Sequence, residues 1–488
     1  MKKIIFVLLL LLAGFTEKVH SEDAFAVGNA TYGTLTAAYN AVQKGETIRV
    51  IANIELNESI SVVSKEFVFD LNGKKIVSNP SNSSRKTFLQ IGTDADITIT
   101  DGSPNHDGVI TCANDGGNMC PIVLTETGKL TINSGNIVSP ENLSNNSYFC
   151  AVSVNKAGSY LIINGGTFST TKGGNSPASV IANIGTTIIN GGTIKNTSTS
   201  GDISARTINN NGTLIVNGGE IISTSQDAIW TGNGKSLSLC SAAKITGNLV
   251  AYGAAVINYI IADGSDLNTN VSVTANTITY NRGSSNAFGT VCLPFVPDSK
   301  STITYYTLKE ATDNTLTLEQ VNEFVANTPY VYYTEDGTYN VSKTSATTLT
   351  ANPVAGTASN GDGWSLKGVY KRTSVFASES DTDYDDTDDS HVVEPNSYYI
   401  KDNGFTHTDG YVVIKPFRAY ITAPDGAANS NHYEISVIDE ATSIKSLFEG
   451  EQTISAIYDV NGVRLSRLQR GVNIVVMGNG KRAKIIVK

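Results

Sequence analysis

Four short phrases decide how this chain folds: LTINSGNI at 130–137, LIINGGTF at 161–168, TIINGGTI at 187–194 and LIVNGGEI at 214–221. Aligned on Asn133, Asn164, Asn190 and Asn217, the third residue before the anchor is Leu130, Leu161, Thr187 and Leu214. The residue just before it is Ile132, Ile163, Ile189 and Val216, and the fourth after it is Ile137, Phe168, Ile194 and Ile221. Glycine stands two residues after every anchor, and the anchors are 31, 26 and 27 residues apart. A fixed period of this size marks a stacked array. Inside each phrase apolar residues alternate, which is the two-residue period of a strand with one buried face. The Asn-Gly-Gly ends that strand, because glycine accepts positive φ without steric cost and asparagine tolerates it. A second inward-facing run then begins at Ile or Phe.

A further strand and turn lie upstream in each period, at VSVNKAG (152–158), VIANIG (180–185), TINNNG (207–212) and IWTGNG (229–234). Two turns in phase per period of about 26 residues describe one coil of a parallel β-helix, in which each asparagine stacks on the next coil's asparagine. The outer coils are degenerate, as terminal repeats of an array are. FVFDLNGKKI (67–76) is read with Asn72 as anchor, ITITDGS (97–103) with its alternation shifted, and SLSLCSAAKI (236–245) with Cys240 in place of the asparagine. Seven anchors at about 4.8 Å per stacked strand give a cylinder on the order of 30 Å long. Ahead of it, TLTAAYNAVQKGETIRVI (34–51) places Leu35, Ala38, Tyr39 and Val42 at helical spacing before Gly45 and a strand. That helix is expected to plug the open end of the first coil.

The helix, the GETIRVIANIELNESISV and FVFDLNGKKI segments and the repeated INGG phrases together resemble the pectin-lyase-like right-handed β-helix superfamily. The resemblance covers roughly 30–262 and implies fold only, since lyases, hydrolases, adhesins and autotransporter passengers share the scaffold.

The expected organisation is all-β: a signal peptide at 1–21, a right-handed parallel β-helix with its capping helix at 22–262, an antiparallel β-sandwich-like module at 263–440, a linker at 441–450 and a small β-module at 451–488. Lys2 and Lys3 precede an apolar run, Ile4 to Phe15, too short for a membrane anchor, and Val19-His20-Ser21 suits cleavage. No other stretch is apolar for 18 residues, so no membrane span is expected after cleavage. In 263–440 the NGG phrase disappears and tyrosines rise in strand-like runs such as TVCLPFVP (290–297), STITYYTLKE (301–310) and TPYVYYTEDGTYNV (328–341). FGTVCLPF with the following YYTL, NTLTL and NTPYVYY resembles a β-module of Bacteroidetes surface proteins. In the last stretch, Asn461-Gly462 and Asn479-Gly480 are two-residue hairpin signals. Tyr458, Asp459, Asn461, Gly462, Gly471, Ile474, Val475, Lys484 and Lys488 resemble the C-terminal type IX-like sorting module of exported Bacteroidetes proteins, with Asn473 as a departure. That resemblance implies secretion machinery as a partner and an extracellular or outer-surface location.

Charge agrees with a separate tail. The chain carries −10 overall, while residues 451–488 hold seven basic and two acidic residues. An acidic body disfavours nucleic acid, which needs a basic surface.

Candidate chemistry is sparse. Cys112, Cys120, Cys150, Cys240 and Cys292 make an odd count; Cys112 and Cys120 either bridge across a glycine-containing turn or, like the rest, are small buried residues. The acidic run Glu379–Asp389 offers hard oxygen ligands for Ca²⁺ but lacks the glycine and closing glutamate of a calcium loop, so it reads equally as a solvated loop. No cysteine–histidine spacing suits zinc. Catalysis on this scaffold needs clustered carboxylates, or a base beside them. The outward positions Thr131, Ile162, Ile188 and Ile215 are not acidic, and Asp101, Asp107, Asp202 and Asp227 share no phase. No catalytic residue and no cofactor is assigned, and a metal site is left open. Trp230, Tyr148, Phe149 and Trp364 are the aromatics weighed for sugar stacking, against packing. The expectation is an exported protein that binds or adheres to glycan or host matrix. A polysaccharide lyase or glycoside hydrolase is the alternative, and a structural surface or biofilm component the third reading.

Overall fold

A computed structural model of the chain describes residues 23–80, 85–114, 118–140, 148–171, 179–198, 206–267, 270–283, 286–312, 314–378, 390–426, 430–438, 454–478 and 482–487. The expected signal peptide, the acidic run Glu379–Asp389, the linker 441–450, Asp202 and the Asn479-Gly480 turn lie outside these residues. The chain divides into two compact units, one of residues up to 237 with 243–256 and one of 238–242 with 257 onward. It is all-β; the described residues contain one helix, Leu35–Ala41.

The first unit is a three-faced solenoid. On its first face the phrase strands Lys129–Ile132, Tyr160–Ile163, Thr186–Ile189 and Thr213–Val216 pair in parallel and in strict register. The second face stacks the strands that follow the Asn-Gly-Gly bends, with Asn136, Thr167, Thr193 and Glu220 side by side. The third stacks the upstream strands, with Ile122, Val152, Ile181, Ile208 and Ile229 in one row. Inside, Leu130 lies beside Leu161, Thr187 stands between Leu161 and Leu214, and Ile137, Phe168, Ile194 and Ile221 form a second row; these apolar side chains are all at most 1% exposed. Each such side chain contributes roughly 1.5–3 kcal/mol by leaving water.

The bends explain the sequence period. Asn164 Nδ2 donates to Asn133 Oδ1, Asn190 to Asn164 and Asn217 to Asn190, each at 2.8 Å. In the three Asn-Gly-Gly phrases both glycines after the anchor are required, while Ser134 stands at the first of these positions in the earliest phrase. Gly166, Gly192 and Gly219 have φ of +89°, +84° and +82°. A Cβ on Gly165 would lie 2.5 Å from Asn133 O, and one on Gly166 only 2.3 Å from Gly135 O. Thr187 breaks the leucine pattern because its hydroxyl donates to Asn183 Oδ1 inside the cylinder, where Asn183 Nδ2 in turn donates to Asn210 Oδ1 at 2.8 Å.

The early coils depart from the expected anchors. Asp70, not Asn72, occupies the register position beside Thr100, the residue next to the Asn133 slot. Asn72 lies within the turn at φ +48° and donates to Val50 O. Six residues separate Asp70 from Ile76, whereas four separate Asn133 from Ile137, yet Ile76, Ile110 and Ile137 align. The extra turn residues are held by two carboxylates, described below. The alternation at 97–100 is not shifted: Ile97 and Ile99 pair with Leu130 and Ile132.

At the start, Phe25–Val27 and Ala30–Tyr32 form an antiparallel edge on the first face, and the helix packs against both strands. Thr34 caps the helix, and Glu58 accepts from the amides of Leu35 and Thr36. Leu35, Ala38 and Val42 are buried.

The second unit contains a ten-stranded sheet, antiparallel except where Thr315–Gln320 runs parallel to His432–Ile438. One core lies against it: Leu308, Leu316, Leu318, Val331, Trp364, Leu366, Tyr398, Phe405, Ile421 and Tyr433. A three-stranded sheet joins Thr373–Phe376, Ser390–Val393 and Tyr411–Ile414. The C-terminal residues form a four-stranded antiparallel sheet. Its first hairpin has a three-residue loop, not the two expected. Asp459 N donates to Val463 O, the Asp459 carboxylate accepts from the amides of Asn461 and Val463, and Gly462 takes φ +80°. Asn473 is 1% exposed and brackets the preceding loop through Gln469 and Gly471.

Candidate functional site

Beyond residue 220 the second and third faces are joined by one uninterrupted strand, Glu220–Thr231. In register, Asn209, Trp230 and Val250 stand side by side on the outside of the third face, opposite the row of buried Ile208 and Ile229 and half-buried Leu249. The outward position puts Trp230 on the surface, and its neighbours assemble a row. The Arg206 guanidinium lies over the indole, 4.0 Å from its centroid. Tyr252 stacks beside it at 5.9 Å with planes 29° apart, and 60% of Tyr252 is exposed. Arg206 Nε lies 3.6 Å from Asp227 Oδ2, both side chains largely covered. Burial raises the Asp227 carboxyl above its ordinary range, opposed by the Arg206 charge and by Asn248. Burial likewise lowers Arg206, opposed by Asp227. The result is an exposed ring beside a fixed ion pair and the amides of Asn209 and Asn211, which are themselves linked at 3.2 Å. Rings stack on the C–H faces of sugars, and amides and charged groups bond their hydroxyls.

The other aromatics weighed from the sequence are placed differently. Phe149, with Tyr148, forms a short strand against Asn118–Met119 and is fully buried, so it is packing and offers no ring to a ligand. Trp364 is 3% exposed in the core of the second unit, against Tyr398 and Tyr433.

The carboxylates of the early coils are structural in their bonding. Asp101, 1% exposed, accepts from the amides of Gly73, Ser103 and Gly108. Burial alone would raise its carboxyl, but the three amides outweigh it and hold it below the usual range. Asp70 accepts from Asn72 and Gly102 and pairs with Arg49. Asp107 is exposed and accepts from Ser103. Along the second face of the same coils runs a groove of about 640 Å³ whose lining includes one carboxylate, Glu55, and one ammonium, Lys75, beside Val77, Thr111 and Val138. In the second unit a cleft of about 740 Å³ is lined by Tyr305, Phe324, Gln320, Asp298 and Lys300 among others. Among the described residues no group of three or more His, Cys, Asp or Glu side chains is arranged to hold a metal ion.

All five cysteines are thiols, Cys112 and Cys120 included. Spacing in the sequence suggested Cys112 with Cys120; the coil register instead sets Cys120 beside Cys150. The signal that would have found this was the placement of both, each two residues before the start of a third-face strand.

No family model, no curated protein and no solved structure matches this chain.

Proposed function

We propose that this is an exported surface protein that binds glycan through the outer face of its solenoid. The observation that carries the reading is the Arg206–Trp230–Tyr252 row with Asp227 beside it. An exposed ring, a second ring behind it and a held ion pair make a platform for a sugar. The parallel scaffold keeps those groups at fixed spacing. A glycan array of the full chain, followed by titration of the best ligand, tests it. Tyr252→Ala and Trp230→Ala are expected to weaken binding about tenfold or more, as loss of an anchoring aromatic does. Absence of any bound glycan, or unchanged affinity in both variants, overturns the proposal.

A further inference from the structure

The third face of the solenoid carries two cysteines in matching positions on neighbouring coils. Asn118–Met119 and Tyr148–Phe149 pair in parallel, Met119 beside Phe149. The next residues are Cys120 and Cys150, and Cys150 N donates to Met119 O at 2.8 Å. Both are fully buried and belong to one small cluster with Val123. Their side chains take the same course: Cys120 Sγ reaches Ile122 O at 3.4 Å, and Cys150 Sγ reaches Val152 O at 3.1 Å, each the carbonyl two residues on. The thiols also lie within hydrogen-bonding reach of each other. Neighbouring strands stand about 4.8 Å apart, inside the roughly 4.4–6.8 Å range of Cα separations that a disulfide spans.

We infer that Cys120 and Cys150 are a disulfide site that clasps two successive coils of the solenoid when the chain folds under oxidising conditions. The chemistry is thiol–disulfide exchange with a small-molecule disulfide. One cysteine thiolate attacks that disulfide and releases one thiol, leaving a mixed disulfide. The second cysteine thiolate then attacks the protein-bound sulfur, forms the Cys120–Cys150 bond and releases the second thiol. Two protein thiols are oxidised and one small-molecule disulfide is reduced to two thiols; the protons from the cysteines pass to the leaving thiolates. Because both sulfurs are sealed from solvent, the exchange belongs to folding, before the coils close. The clasp would join residues thirty apart in sequence, at the one level where the coil begins with cysteine in two consecutive turns.

The chain itself supplies a clean readout. Met119 precedes Cys120, so cyanogen bromide separates Cys120 from Cys112, and trypsin then yields Cys120–Lys129 and Leu130–Lys156. The full chain is refolded in a buffer of reduced and oxidised glutathione, alkylated and mapped by mass spectrometry without reduction. The expected result is a joined species of these two peptides, lighter than their sum by two hydrogen atoms and split by reductant. The oxidised protein is also expected to melt about 5 °C or more above the reduced protein. Recovery of both peptides alkylated and unjoined, or either cysteine bridged to Cys112, overturns the assignment. No variant is needed, so a folding defect cannot obscure the outcome.

Discussion

The solenoid and the ten-stranded sheet of the second unit are both built from short strands, but they are held together in opposite ways. In the solenoid the repeated positions pack on their equivalents one coil away: asparagine on asparagine, glycine under glycine, and Leu130 on Leu161. In the second unit the core joins residues far apart in sequence, with Trp364, Tyr398 and Tyr433 meeting at ring separations of 5.3–5.8 Å. The first arrangement concentrates its constraints at the bends, where backbones nearly touch. The second concentrates them in volume. A small added group should therefore damage the solenoid most, and a removed large group should damage the sheet most.

The largest effect is expected in the core of the second unit. Trp364→Ala should cost about 3–5 kcal/mol, through lost burial and the cavity left among Tyr398, Tyr433 and Leu366. Chemical denaturation followed at the two units separately checks it; the solenoid transition should not move. Close behind, Gly166→Ala adds one methyl group where φ is +89° and a carbonyl stands 2.3 Å from the new carbon. It should cost about 3 kcal/mol in the solenoid transition, whereas Gly234→Ala, at φ +67° with nothing near, should cost about 1–2 kcal/mol from backbone strain alone. Equal losses at the two glycines would remove close backbone approach as the reason for the Gly-Gly pair.

Asp101→Ala strands three amides in a buried turn and should cost about 2–4 kcal/mol. Its pH dependence has a definite sign. The folded carboxyl is held below the ordinary carboxylate range by those amides, so its contribution is present above that range and is lost as pH falls through the lower folded value. Acid titration of stability should show wild type losing its advantage over the Asp101→Ala variant below about pH 4. The smallest effects separate the two asparagine ladders. Asn183→Ala leaves buried partners at Asn210 and Thr187 and should cost about 2 kcal/mol. Asn190→Ala, in the exposed ladder, should cost about 1 kcal/mol or less.

The same contrast explains what could be read from the chain alone. Stacked equivalents repeat in sequence, so the coils from Asn133 to Asn217 were legible, including the two turns in each. The early coils were not, because Asp70 and Asp101 hold longer turns by accepting backbone amides, and that bonding leaves no periodic trace. Asn72 mimicked an anchor by having Leu71 before it and Ile76 after it. Strand-like runs were visible in the second unit, but their order was not, since a parallel pair such as Thr315–Gln320 with His432–Ile438 depends on contacts more than a hundred residues apart. The candidate site was legible in one residue, Trp230. Arg206 and Tyr252 join it only through the coil register, one from the coil before and one from the coil after. The Cys120–Cys150 pairing was hidden for the same reason.

The central claim is that successive phrases occupy successive levels of one cylinder. Glu66, Asp96, Lys129, Tyr160, Thr186 and Thr213 form one row across the first face. Spin labels placed at Glu66 and Thr186, then at Glu66 and Thr213, measure it directly by pulsed electron resonance. Single narrow distance distributions are predicted, with backbone separations near 19 and 24 Å that differ by about 4.8 Å for one added coil. Broad distributions, or separations that change by more than twice that step, would contradict the stacked-coil account.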